Sequence, residues 1–143
     1  MRLSPRVYLA APLFSEAEKR YNLYVHDLLV QAGYHVYLPQ GQGEDARHRT
    51  QEEDQTIFTG HLRALDQAQM VIAICDGADT DSGTAWEVGY AYAKGIPVIA
   101  LRTDNRMIGP ERMINLMLEQ SAYMVKSLEE LVRRLTDLTP ISR

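Results

Sequence analysis

Two carboxylates, Asp81 and Glu87, bracket a small-residue turn, Asp81-Ser82-Gly83-Thr84-Ala85-Trp86-Glu87-Val88-Gly89-Tyr90. The turn follows a short apolar run, Met70-Val71-Ile72-Ala73-Ile74-Cys75, which reads as a buried strand. It opens a helical pattern that runs to about Lys94. Acids at the carboxyl end of a buried strand sit where open α/β sheets bind ligands. A small-residue turn flanked by acids suits a polar, uncharged ligand better than a phosphate. With Gly83 as the first helical residue, Glu87 shares a face with Gly83, Tyr90 and Lys94, little more than one turn into the helix. The positive helix end then favours the ionised carboxylate, and an ionised carboxylate suits a nucleophile better than a general acid. Taken singly, each acid has a plainer reading. A glutamate near a helix start is favourable electrostatics, and Asp81 is a turn or cap residue.

Other chemistries find little footing. The four histidines, His26, His35, His48 and His61, form no HExxH pattern, and the single cysteine, Cys75, allows no CxxC. No metal and no cofactor is therefore expected. There is no P-loop, and Gly41-Gln42-Gly43 lacks the third glycine of a dinucleotide fingerprint. The net charge of −4 gives no sign of a nucleic-acid surface, and the basic spots Arg47-His48-Arg49 and Arg133-Arg134 read as solvated surface. One cysteine in a predicted strand reads as a small core residue, compatible with a reducing cytoplasm, where the protein is expected. The first residues lack the apolar core of a signal peptide, and no apolar run approaches membrane-spanning length.

The elements that must position these acids follow from periodicity. Val7-Tyr8-Leu9-Ala10 reads as a first, central strand ended by Pro12. Ser15 and Glu18 form a capping-box pattern for a helix running to about Ala32, with Tyr21, Tyr24, Val25, Leu28, Leu29 and Ala32 on its apolar stripe and Gly33 as its stop. His35-Val36-Tyr37-Leu38 is a second strand. Residues 40 to 54 read as a long polar connection, either a mobile loop over a site or a disordered surface loop. Residues 55 to 68 read as a helix, with Ile57, Phe58, Leu62 and Leu65 on one side. Val98-Ile99-Ala100-Leu101 is a fourth strand and Tyr123-Met124-Val125 a short last one, before a helix capped by Ser127 with Glu130. At 143 residues the chain fits one domain, 1–143. The β-α alternation implies a mostly parallel sheet with helices on both faces.

Three ordered pieces carry a more specific signal: Tyr8-Leu9-Ala10-Ala11-Pro12, Asp81 through Ala91, and Asn115-Leu116-Met117. Their order and separations resemble the nucleoside 2-deoxyribosyltransferase family over roughly residues 6 to 135. That resemblance implies a Rossmann-like, flavodoxin-like α/β domain that cleaves N-glycosidic bonds. Glu87 falls on the family's nucleophile, which attacks the anomeric carbon, displaces the base and leaves a covalent sugar ester; a second base takes the sugar with net retention. The logic is that of a retaining glycosidase. Tyr8 would lie beside the nucleophile and position its carboxylate. Asp81 matches the acid that contacts the sugar hydroxyl, and its charge would repel a 5′-phosphate. Gly83 lines the start of the same turn. Asn115 matches a sugar-binding residue supplied by a neighbouring subunit, and Met117 would wall the pocket. The implied partners are nucleosides and free nucleobases, in a homo-oligomer (dimer-based, tetramer or hexamer) with shared sites. By ungapped spacing, His61 takes the place of an aspartate that helps bind and protonate the base in several members. It reads either as a proton shuttle for the leaving base or as an exposed helix residue, with Asp54 and Asp66 as other acids that could serve.

Two rivals stand beside this expectation. One is a hydrolase of the same superfamily acting on nucleosides or 5′-monophosphates. The other is a non-catalytic nucleoside-binding module on the same fold.

Overall fold

Strands and helices alternate along the computed structural model, which describes residues 3–43 and 47–138. The order is β1 (Arg6–Ala10), α1 (Glu16–Gln31), β2 (His35–Tyr37), α2 (Gln51–Gln67), β3 (Met70–Ile74), α3 (Ser82–Ala93), β4 (Val98–Leu101), α4 (Leu116–Ser121), β5 (Tyr123–Val125) and α5 (Leu128–Leu138). The five strands form one parallel sheet in the order β2-β1-β3-β4-β5. The chain moves outward to β2 on one side of β1 and through β3, β4 and β5 on the other. The order therefore reverses between β1 and β3, the switch point that opens a crevice at the strands' carboxyl ends.

Side-chain alternation builds a core on each face. Val7, Leu9, Ile72, Ile99 and Leu101 point to one side and pack with Val25 and Leu29 of α1 and Leu131 and Leu135 of α5. Tyr8, Ala10, Val71, Ala73 and Ala100 point to the other and meet Leu65 of α2, Val88 and Ala91 of α3 and Leu118 of α4. Each fully buried Val, Leu or Ile stabilises the fold by ~1.5–3 kcal/mol, which explains why these strands read as nearly continuous apolar runs. Cys75 is buried here, its thiol pushed up to about 11 by burial, so it is a core side chain and not a nucleophile.

The capping boxes at Ser15–Glu18 and the Ser127 bond to the Glu130 amide form as the sequence predicts. Two helix starts and one packing position differ. Helix α2 begins at Gln51, because Thr50 caps it and exchanges bonds with Glu53. The acids at 52–54 are thus its first turn, where the helix dipole favours them, and the polar connection is shorter than expected; residues 44–46 lie outside the described residues. Helix α3 begins at Ser82 rather than Gly83. On α1, Tyr24 is 59% exposed, and the polar Asn22 is buried along with Val25 and Leu29. No helix among the described residues is long and apolar enough to cross a membrane.

Candidate active site

A cavity of about 610 Å³ opens at the carboxyl ends of β1, β2 and β3, beside the switch point. Each strand sends its following residues to the wall: Ala11, Leu13 and Phe14 after β1, Pro39 after β2, and Asp81, Ser82, Gly83, Trp86 and Glu87 after β3. Phe58, His61, Leu62 and Leu65 of α2 close the far side, with Arg49 ahead of them.

Helix α3 divides its labour by face. Thr84, Val88 and Ala91 are buried, while Gly83, Trp86 and Glu87 line the cavity. Glu87 is half-buried and lies beyond the helix's first turn, which contains no acid. The macrodipole acts mainly within the first turn, so the expected help from the helix end is weak. A direct contact takes its place: the Tyr8 hydroxyl donates a hydrogen bond to Glu87 Oε2. Tyr8 is fully buried in β1, so the phenol is a rigid donor that fixes one carboxylate oxygen.

Asp81 is the N-cap of α3. Its Oδ2 accepts from the Thr84 amide at 3.0 Å and from Thr84 Oγ1 at 3.3 Å. Both readings of this residue therefore meet in one side chain, which caps the helix and also lines the cavity. A Cβ at position 83 would stand 3.2 Å from Asp81 Oδ2, so glycine keeps the acid's capping position open.

The α2 side is aromatic. Phe58 and Trp86, about half exposed, meet edge to face at 5.7 Å, and Trp86 stacks on Tyr90 at 5.5 Å. Exposed aromatic rings on a cavity wall suit a planar ligand. His61 lines the same wall, its Nδ1 2.8 Å from the Tyr37 hydroxyl. Burial holds its pKa below the ordinary 6.5, which favours the neutral ring near pH 7. The other two acids weighed for this role lie elsewhere. Asp54 pairs with Arg49 at 2.5 Å, and Asp66 accepts from the Tyr90 hydroxyl at 2.5 Å with Lys94 at 3.8 Å. Neither lines the cavity.

Asn115 and Met117 stand apart from this group. Asn115 caps α4 and accepts from the Met117 amide at 2.9 Å. Both line a second cavity of about 500 Å³, whose other wall is Ala85, Gly89 and Tyr92 on a third face of α3. Within one chain they do not join Glu87, and Met117 is 75% exposed.

Three positioning features escape sequence reading. Asn22 Nδ2 donates at 2.9 Å both to the Pro12 carbonyl and to Gln40 Oε1, tying together the loops after β1 and β2. Arg102, 2% exposed, donates four bonds at 2.6–3.1 Å to the carbonyls of Cys75, Gly77, Asp104 and Arg106. It bolts the loop that leads to Asp81 onto the loop after β4. Arg49, read as solvated surface, is exposed and also lines the cavity. An Asn amid an apolar helical stripe and an Arg ending an apolar strand were the available signals for the first two.

Comparison with known proteins agrees with this fold. The family model for nucleoside 2-deoxyribosyltransferase matches residues 7–128. The crystal structure of a conserved protein from Enterococcus faecalis V583 is 28% identical, covering 94% of this chain and 98% of that one, with a TM-score of 0.77. The 2-deoxyribosyltransferase of Bacillus psychrosaccharolyticus is 26% identical over 89% of this chain and 90% of its own, with a TM-score of 0.76. The 2-desoxiribosyltransferase of Leishmania mexicana shares the fold at 20% identity, with 93% and 97% covered and a TM-score of 0.71. No curated protein sequence matches the chain.

Proposed function

The chain belongs to the nucleoside 2-deoxyribosyltransferase family, and from that premise we propose that it moves 2-deoxyribose between nucleobases with Glu87 as the nucleophile. The observation that carries this reading is the Tyr8 bond to the Glu87 carboxylate, at the edge of a cavity on the sheet's switch point. A carboxylate oxygen of Glu87 attacks C1′ of the bound nucleoside. The C1′–N bond breaks, its electron pair goes to the base, and a deoxyribosyl ester forms. A nitrogen of the incoming base then attacks C1′ and the ester oxygen leaves. The departing base gains one proton and the acceptor loses one, so exchange is proton-neutral. Two inversions give net retention.

The remaining residues take complementary parts. Asp81, whose Oδ2 is engaged by Thr84, offers Oδ1 to a sugar hydroxyl, and its charge favours a nucleoside over a 5′-phosphate. Gly83 keeps that acid in place. Phe58 and Trp86 suit the face of the base, and His61 its edge. Asn115 and Met117 line a different cavity from the one that holds their own chain's Glu87. Their exposure supports a homo-oligomer in which each subunit completes a neighbour's site.

One observation favours a second reading, hydrolysis of 5′-monophosphates: Arg49 is a cation on the same cavity wall. Its guanidinium is held by Asp54 on the α2 side, which weakens its claim on a phosphate. Parallel incubations of deoxyinosine, and of a deoxynucleoside 5′-monophosphate, with free adenine separate the readings. Transfer yields deoxyadenosine. Free deoxyribose without exchange identifies a hydrolase, and turnover of deoxynucleotides alone supports the monophosphate reading. No turnover of any of these overturns the enzymatic proposal.

A further inference from the structure

We propose that Tyr37 is a positioning residue for base departure, holding His61 so that its Nε2 side meets the leaving nucleobase. The inference rests on the deoxyribosyl-transfer reading above and names the residue that sets its base end.

Tyr8 and Tyr37 are register partners on adjacent parallel strands, so both side chains leave the same face of the sheet. Their rings stack at 5.3 Å with planes 21° apart. From this shared platform the two hydroxyls diverge. Tyr8 reaches Glu87 on α3, and Tyr37 reaches His61 on α2, with 2.8 Å between its oxygen and Nδ1. The Tyr37 and His61 rings also meet edge to face at 5.8 Å and 77°. Tyr37 thus constrains the imidazole in both direction and tilt. Among the described residues, the carboxylates lining the cavity are Asp81 and Glu87, both assigned to the sugar, so His61 is the titratable imidazole at the base end.

In this proposal the Tyr37 hydroxyl is the donor to Nδ1, and the neutral ring then carries its own hydrogen on Nε2. That N–H donates a hydrogen bond to an acceptor nitrogen or oxygen of the base as the C1′–N electron pair arrives there. No proton need leave the imidazole. The base departs as an anion eased by the hydrogen bond and is protonated by water, while the acceptor base releases the matching proton. Such a contact matters only when the leaving group develops negative charge.

The test compares leaving groups. Wild type, Tyr37→Phe, His61→Gln and the double variant are assayed in base exchange with deoxyinosine and with 7-methyl-2′-deoxyguanosine, whose base departs neutral. Tyr37→Phe keeps the ring stacked on Tyr8 and removes only the hydroxyl. The expected kcat loss with deoxyinosine is on the order of 10²-fold for each single variant, the scale of one donor lost from a developing anion. The loss is at least tenfold smaller with the quaternised nucleoside, and the double variant is no worse than the poorer single one. Equal losses on both substrates, or additive losses in the double variant, overturn the role of Tyr37 and leave deoxyribosyl transfer standing. A wild-type protein that exchanges neither substrate removes the functional reading, and the inference with it.

Discussion

The hydroxyl of Tyr8, fully buried in β1, donates to Oε2 of Glu87 on α3, joining β1 to the helix that follows β3 across the sheet's switch point. The contact spans a sequence separation of 79 residues, and it exists because β1 and β3 pair in register from Val7–Met70 to Ala10–Ala73. Removing the hydroxyl alone tests what the contact does. In Tyr8→Phe we expect kcat for base exchange to fall by roughly 10- to 100-fold, the scale of a lost positioning hydrogen bond. KM should change by less than threefold, because the sugar and base contacts remain. Steady-state kinetics with varied donor checks this; a large KM effect with kcat preserved would move Tyr8 from the nucleophile to substrate binding.

Asp81 combines a structural and a binding role, and two substitutions separate them. Asp81→Asn retains an oxygen for the Thr84 amide, so its Tm should stay near that of the wild type. Asp81→Ala should lose ~1 kcal/mol with the cap. Both should raise the nucleoside KM at least tenfold while leaving the KM of the acceptor base alone. If Asp81→Asn binds nucleoside as well as wild type, the side chain is a cap and nothing more.

Much of this architecture was legible in the sequence, for identifiable reasons. Strands buried on both faces appear as apolar runs, and the run from Met70 to Ile74 is buried at every position. The spacing of Asp81, Gly83 and Glu87 also places them on one cavity wall, because the turn is local. What sequence reading misplaced was set by contacts distant along the chain. The start of α2 moved because the Thr50–Glu53 capping box went unread in a polar stretch. Arg49 reads as surface and is exposed, but the fold also sets it on the cavity wall with Phe58 and His61. Arg102 reads as an ordinary strand end, and its function lies in carbonyls 25 and 27 residues away.

That arginine yields a stability prediction. Arg102→Met keeps the apolar stem but strands up to four carbonyls, each costing ~1–3 kcal/mol when unsatisfied and less where water can enter. Urea unfolding should show a loss of about 3 kcal/mol or more. Where the variant remains folded, the nucleoside KM should rise, since the loop leading to Asp81 is no longer pinned. Unchanged unfolding would mean that the loops hold their shape without the guanidinium.

The separation of Asn115 from Glu87 within one chain yields a complementation prediction. Glu87→Ala and Asn115→Ala should each be inactive or strongly impaired. Mixed oligomers, formed with subunit exchange verified by mass, should regain activity, because some sites then combine an intact Glu87 with an intact Asn115. Absence of rescue would place Asn115 outside any shared site.

The most direct measurement concerns the covalent ester. Wild-type protein mixed with deoxyinosine in the absence of acceptor base, and quenched in acid within one turnover, should gain the mass of one deoxyribosyl group. Peptide mapping should locate that group on Glu87, and Glu87→Ala protein should gain nothing while retaining its fold by circular dichroism. A deoxyribosyl adduct on another residue, or brisk base exchange by Glu87→Ala, would contradict the account.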